Sequence, residues 1–151
     1  MGADVRRAMV EDAPALSKLV EQYWRFESIE GYEEARITAL LASLLSTPQL
    51  GVAWIAVKDH VPVGYLLAVF VFSLEHGGLT AEIDELFVSS SCRGTGIGGS
   101  LIQTAEAFLA QTGCTNVALQ LRRGNESGRT FYTGQGYLHR SSYELLDKNL
   151  T

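Results

Sequence analysis

The sequence contains no long hydrophobic segment. Its longest apolar run, around residues 65–72, has the length of a strand, whereas a membrane-spanning helix needs about 20 apolar residues. The opening residues, MGADVRRAMVEDAPAL, lack the apolar core of a signal peptide. Position 6 is Arg, where a myristoylation signal would have Ser or Thr. We therefore expect a cytoplasmic protein without a membrane partner.

Cysteine and positive charge are also scarce. The two cysteines, Cys92 and Cys114, do not have the spacing of metal ligands, and no His, Cys and carboxylate set suggests a metal. We therefore expect no metal cofactor. The 12 Lys and Arg residues against 17 Asp and Glu residues give a net charge of −5, which argues against a nucleic-acid partner. The same balance permits a cationic substrate without identifying one.

Hydrophobic residues, at 46%, are abundant enough for a core, and no linker or repeat interrupts the chain. We therefore expect a single domain over residues 1–151. The hydrophobic pattern predicts the order β–α–α–β–β–β–α–β–α–β. This order predicts an α/β or α+β fold, a mixed sheet with helices on both faces. The last strand is predicted near residues 137–146, where its exposed edge offers a surface for a homodimer.

A glycine-rich loop separates a predicted strand from a predicted helix in FVSSSCRGTGIGGSLIQTAEAF, residues 87–108. Glycine lets the chain turn tightly and lets a ligand approach the backbone amides. The first amides of a helix have no partner within it and carry partial positive charge, so they bind anions, most often phosphate. The loop therefore predicts a phosphate site. Its glycines are Gly94, Gly96, Gly98 and Gly99.

Two common nucleotide motifs fit this loop poorly. Residues 94–99, GTGIGG, satisfy G-x-G-x-x-G. A dinucleotide site, however, also needs an acidic residue roughly 20 positions later, at the end of the next strand. That strand ends in Gln120-Leu121-Arg122. A P-loop nucleotidase would need a lysine, which the loop lacks.

A third motif fits better, and a second segment supports it. RGTGIG (93–98), between a strand ending in LFV and an amphipathic helix, resembles the acyl-CoA-binding signature of the GNAT N-acyltransferase superfamily. NESGRTFYTGQGY (125–137) is similar to that family's Asn-x-x-Ala-x-x-x-Tyr-x-x-x-Gly-Phe segment. It departs only at Gly128, where the family has Ala, and at Tyr137, where it has Phe.

The resemblance covers nearly the whole chain. SLEHGGLTAEIDELFV (73–88) also resembles a stretch of small GNAT proteins whose substrates are mostly unassigned. The resemblance implies the GNAT fold, in which the fourth and fifth strands of a mixed sheet splay apart. It further implies an N-acetyltransferase that uses acetyl-CoA as cosubstrate and an amine as acceptor.

The resemblance also implies where acetyl-CoA binds. Its diphosphate would lie on the backbone amides from Arg93 to Gly99, and its pantetheine arm along the main chain of Leu86 to Val88. The amide of Val88 or Phe87 would then serve as the oxyanion donor. The implied cofactor-binding residues are Leu86, Phe87, Val88, Arg93, Gly94, Thr95, Gly96, Ile97, Gly98, Gly99, Asn125 and Tyr132.

Catalysis needs a proton donor and a proton acceptor. The resemblance implies Tyr132 as the acid that protonates the departing thiolate, because a phenol keeps its proton at neutral pH. A carboxylate that deprotonates the ammonium group, directly or through water, is useful. Glu85 and Glu82 are the candidates, and the one that is not the base is expected to pair with an arginine such as Arg122 or Arg129.

Strand alternation bears on the choice between the two carboxylates. It places Glu82 and Asp84 on one face and Glu85 and Phe87 on the other, unless a bulge shifts the phase.

The acceptor pocket implied by the resemblance lies between the first two helices and their connecting loop. Residues 26–32 are the expected specificity element, since aromatic rings and carboxylates suit a primary ammonium group. No Ser or Cys has a partnered base, so direct attack by the amine is preferred. Two alternatives stay open: transfer of a longer acyl group, and a non-catalytic CoA-binding or sensor domain.

Overall fold

The computed structural model describes residues 2–151. The elements, in chain order, are β1 (Asp4–Arg7), α1 (Ala13–Phe26), α2 (Glu34–Leu45), β2 (Gly51–Lys58), β3 (Val61–Ser73), β4 (Gly78–Val88), α3 (Ile97–Thr112), β5 (Val117–Leu119) and α4 (Glu126–Gly134). Single 3-10 turns lie at Val10–Asp12 and Ser90–Cys92. The chain divides into two compact units, one ending at Gln120 and the other running from Leu121 to Thr151. A single functional domain over residues 1–151 stays a prediction.

The first unit is built on one mixed sheet, as the sequence predicted. Its strand order is β1-β2-β3-β4-β5. Neighbouring strands pair antiparallel except β4 and β5, which pair parallel. The parallel pair is joined by α3, the β–α–β crossover that follows the glycine-rich loop.

Helices cover both faces of this sheet. On one face α1 and α2 contribute Leu16, Leu19 and Leu41 to a core that also contains Tyr65 and Phe87 from β3 and β4. The spacing of the buried α1 residues follows the helical period, which is why the sequence predicted this helix. On the opposite face Phe108 of α3 packs edge-on against Trp54 of β2, with ring centroids 5.6 Å apart.

The predicted last strand is wrong. Residues 138–151 form no strand in the described part of the chain, so the predicted edge for a homodimer is not formed there. The segment from Leu138 to Leu150 contains no Val, Ile or Thr, the β-branched residues that favour strands. Its large apolar side chains are exposed rather than packed, as Leu146 at 90% exposure shows.

Candidate functional site

The glycine-rich loop adopts a backbone that requires glycine at two positions. Gly94 has φ +75° and Gly96 has φ +86°, both in the left-handed region that other residues rarely occupy. A Cβ added at either position would meet no other atom within 4 Å. The glycines therefore serve the turn itself, and the space beside the loop is open.

The start of α3 presents unpartnered backbone donors to that space. Gly96 is the N-cap, and no side chain caps the helix. Ser100 is the first residue to donate back along the chain, to the Gly96 carbonyl at 3.0 Å. The amides of Ile97, Gly98 and Gly99 consequently have no acceptor within α3. Three adjacent donors at the positive end of a 16-residue helix suit an anion such as a diphosphate.

The side chains of the loop are engaged in local contacts. The Arg93 guanidinium lies over the ring of Phe26 at 4.4 Å and over that of Phe87 at 5.3 Å. Its Nε donates to the Val88 carbonyl at 3.0 Å. The Thr95 hydroxyl donates to the Cys92 carbonyl. Both side chains therefore make contacts within the first unit.

The end of β4 carries a second set of backbone groups. Pairing with β5 stops at Ile83, which is opposite Leu119, the last residue of β5, whereas β4 continues to Val88. Ser89 donates to Val63 of β3 at 2.8 Å, so alternation directs the amides of Leu86 and Val88 away from β3. Of the two amides considered as oxyanion donors, Val88 points away from β3, on the side where its own carbonyl accepts from Arg93 Nε, and Phe87 points toward β3.

A bulge in β4 decides which carboxylates share a face. Leu67 pairs with Glu85 and Ala68 pairs with Ile83, so Asp84 is an extra residue without a partner on β3. Uninterrupted alternation would have separated Glu82 from Glu85. The bulge shifts the phase by one, and Glu82 and Glu85 lie on the same face of the sheet, the face covered by α1 and α2.

Glu85 is held by two neutral donors. Its Oε2 accepts from the Trp24 indole N–H at 2.8 Å, and its Oε1 accepts from the Tyr65 hydroxyl at 2.8 Å. Burial raises the pKa of Glu85, and the two hydrogen bonds oppose that rise. Glu82 accepts from the Gln120 side chain at 3.1 Å. Glu85 thus accepts from an indole and a phenol, and Glu82 accepts from an amide. The pairing of one of these carboxylates with Arg122 or Arg129 stays a prediction.

Sequence reasoning did not find the partners of Glu85. A buried Trp or Tyr usually finds an acceptor for its N–H or O–H, and this was the available signal. The sequence places Trp24 in an amphipathic helix and Tyr65 in a buried strand, and neither position by itself indicates a contact with Glu85.

Two cavities flank the end of α1. One, of about 310 Å³, is lined by Glu21, Trp24, Arg25, Ile29 and Tyr32. The other, of about 270 Å³, is lined by Gln22, Arg25, Phe26, Phe87, Ser90 and Arg93. The first includes the loop between α1 and α2 that was expected to determine specificity. Its aromatic wall consists of Trp24 and Tyr32, which meet edge to face with centroids 6.3 Å apart.

The second unit contains the motif that begins at Asn125. The Asn125 side-chain oxygen accepts from the Gly128 amide at 2.9 Å and so caps α4. The Tyr132 ring stacks edge-on against Phe131 and Tyr137, at centroid distances of 5.1 and 5.8 Å. Asn125 thus has a structural role in its own helix.

Within residues 2–151, no group of three or more His, Cys, Asp or Glu side chains is arranged to hold a metal ion. None of the helices in this range has the length and apolar character that crossing a membrane requires.

Comparison with known proteins agrees with this geometry. Residues 14–137 match the family model described as Acetyltransferase (GNAT) family. An uncharacterized N-acetyltransferase of Bacillus subtilis strain 168 is 28% identical over 138 residues, which is 89% of each chain.

Solved structures show the same fold. An integron cassette protein from the mobile metagenome of Cole Harbour Salt Marsh superposes with a TM-score of 0.86 at 26% identity, over 97% of this chain and 90% of the other. A possible acetyltransferase from Clostridium difficile 630 also gives a TM-score of 0.86, at 14% identity, over 100% of this chain and 99% of the other.

Proposed function

Because this chain belongs to the acetyltransferase (GNAT) family, we propose that it transfers an acetyl group from acetyl-CoA to a primary amine of a small molecule or peptide. The observation that carries the proposal is the row of unpartnered amides at the start of α3, beside open space at Gly94 and Gly96. This arrangement fits the diphosphate of acetyl-CoA.

The proposed cosubstrate site combines two stretches of main chain. Amides from Arg93 to Gly99 would hold the diphosphate, and the main chain of β4 from Leu86 to Val88 would hold the pantetheine arm. The Val88 amide, which faces away from β3, would donate to the oxygen of the reacting carbonyl. Acetyl-CoA supplies the activated acetyl group as its thioester.

Acid and base roles follow from the family resemblance and from the chemistry. The amine nitrogen attacks the carbonyl, a C–N bond forms, the C–S bond breaks, and the nitrogen loses a proton. We assign proton removal to Glu85, directly or through water, because its carboxylate accepts from the indole N–H of Trp24, and the same indole lines the acceptor cavity. Glu82, on the same face, is the second candidate. Tyr132 would protonate the thiolate.

The acceptor cavity suits an alkylammonium group. Trp24 and Tyr32 present aromatic faces and edges, and Glu21 adds a carboxylate to the same cavity. Cation–π and ion-pair contacts of this kind stabilise a primary ammonium group.

Thiol release from acetyl-CoA tests the activity. The purified protein would be mixed with polyamines, aminoglycosides, amino acids and peptides, and free thiol would be measured for each amine. Thiol release that depends on one class of amine supports the proposal. The absence of thiol release with every amine tested contradicts it. Butyryl-CoA in parallel distinguishes a longer acyl group, and a thermal-shift titration with NADH tests the dinucleotide alternative.

Tyr132→Phe separates an enzyme from a non-catalytic CoA-binding or sensor domain. A missing general acid typically lowers the rate by 10²- to 10⁴-fold, so we expect slower turnover with little change in acetyl-CoA affinity. Stopped assays and calorimetric titration measure the two quantities. A variant that turns over at the wild-type rate would remove Tyr132 from the mechanism.

A further inference from the structure

The Glu85 carboxylate accepts hydrogen bonds from side chains of two elements, α1 and β3. Trp24 reaches it from the last turns of α1, and Tyr65 reaches it from β3. Tyr65 is fully buried, and Glu85 is half-buried. Both donors are neutral groups. Because a hydrogen bond acts only over a short distance, each one stabilises the ionised carboxylate only while the side chains keep this geometry.

Trp24 also belongs to the acceptor cavity. The same indole whose N–H donates to Glu85 lines the cavity of about 310 Å³ and packs against Tyr32. A carboxylate has about four lone-pair sites, so two donors leave Glu85 able to accept a third. An amine bound in this cavity would contact the same indole that donates to Glu85.

We propose that Trp24 and Tyr65 are positioning residues that keep the Glu85 carboxylate ionised and fixed in orientation for an amine bound beside α1. The inference rests on the proposed function in that it gives Glu85 the role of base. The arrangement of donors, by contrast, can be tested without any activity.

Other charged and titratable groups surround this cluster. Asp84 lies next to Glu85 on β4, and Tyr23 lies on α1; both act electrostatically on Tyr65. Glu82 shares the face of β4. Glu21 and Arg25 of α1 pair with each other at 3.4 Å. The variants below leave all of these groups in place, so a change at Glu85 reports the missing donor.

Carboxyl NMR on protein labelled with ¹³C-glutamate provides the direct test. Glu85→Gln assigns the Glu85 signal. Removing a donor that favours the ionised form should raise the pKa of Glu85, and we expect a rise of about one pH unit in Trp24→Phe and again in Tyr65→Phe. Trp54→Phe, which removes an indole packed on Phe108 across the sheet, should leave it unchanged.

The pH dependence of kcat/KM provides the catalytic readout. The acid limb should move to higher pH in Trp24→Phe and Tyr65→Phe by the same amount as the Glu85 titration, and should stay in place in Trp54→Phe. An unchanged Glu85 titration in both variants, with circular dichroism showing a folded protein, would overturn the positioning role.

Different results would contradict the acetyltransferase proposal and the positioning proposal. If Glu85→Gln keeps the wild-type acid limb, Glu85 is not the base, and the positioning proposal falls with it. If the wild-type protein releases no thiol with any amine, the acetyltransferase proposal fails, and the NMR titration still decides whether Trp24 and Tyr65 hold the carboxylate.

Discussion

Asn125 shows how a motif residue can serve local structure. Its side chain accepts from the Gly128 amide, and a Cβ at position 128 would lie 2.7 Å from the Asn125 side-chain nitrogen. The glycine at 128, where the family has alanine, therefore leaves room for the cap in this conformation. An alanine at this position would require the Asn125 side chain to shift.

The cap leads to a prediction about stability. Asn125→Ala removes the acceptor, and we expect the free energy of opening α4 to fall by about 1 kcal/mol. Amide hydrogen exchange at Gly128 measures the change. Asn125→Asp is the matched control, because aspartate keeps an acceptor oxygen at the cap.

The same pair of variants tests the cofactor role of Asn125. If its amide N–H group contacts pantetheine, Asn125→Asp should weaken acetyl-CoA binding while exchange at Gly128 stays near the wild-type rate. Unchanged affinity in both variants would limit Asn125 to capping. Unchanged exchange in Asn125→Ala would contradict the cap itself.

At the scale of elements, β4 carries most of the site. One extra residue, Asp84, shifts the alternation so that Glu82 joins Glu85 on the face covered by α1 and α2. β4 extends five residues beyond its last pair with β5, from Asp84 to Val88. In this extension the amides of Leu86 and Val88 point away from β3. The alternation of side chains along a strand does not predict where a bulge lies, because a bulge interrupts the two-residue period from which the strand faces are assigned.

The loop before α3 can be tested by a single substitution. Gly96→Ala places a side chain at φ +86°, a conformation that costs L-residues about 1–2 kcal/mol. The loop should shift, and acetyl-CoA affinity should fall by about tenfold or more. Isothermal titration calorimetry measures the affinity.

Gly134→Ala is the control for that substitution. Gly134 is the last residue of α4, its φ is not positive, and an added Cβ would meet no atom within 4 Å. Alanine there should leave acetyl-CoA affinity unchanged and leave stability equal or slightly higher. Equal affinity for wild type and Gly96→Ala would contradict the proposed role of the loop.

At the scale of the whole molecule, much of the fold was predictable from sequence. Apolar periodicity located α1 and α3, and runs of Val, Ile, Leu and aromatic residues located β2 and β3. These elements are buried on at least one side, so burial imposes the pattern that sequence reading detects. The glycine-rich loop was equally readable, since glycine adopts positive φ values such as those at Gly94 and Gly96 far more readily than other residues do.

The features that could not be predicted from the sequence depend on tertiary contacts. The segment after Tyr137 contains leucines at irregular spacing, and these were read as a strand that the structure does not form. The contact between Trp24 and Glu85 joins residues 61 positions apart. No local pattern encodes such a pairing, which arises only when α1 packs on β4.

The most direct test of the account is a titration of ¹⁵N-labelled protein with acetyl-CoA, followed by amide NMR. We expect the largest shifts at the amides from Gly94 to Gly99, with a second group at Leu86 and Val88, at concentrations where the protein is saturated. Unchanged amides at the start of α3 in the presence of saturating acetyl-CoA would contradict the central claim that this helix terminus holds the diphosphate.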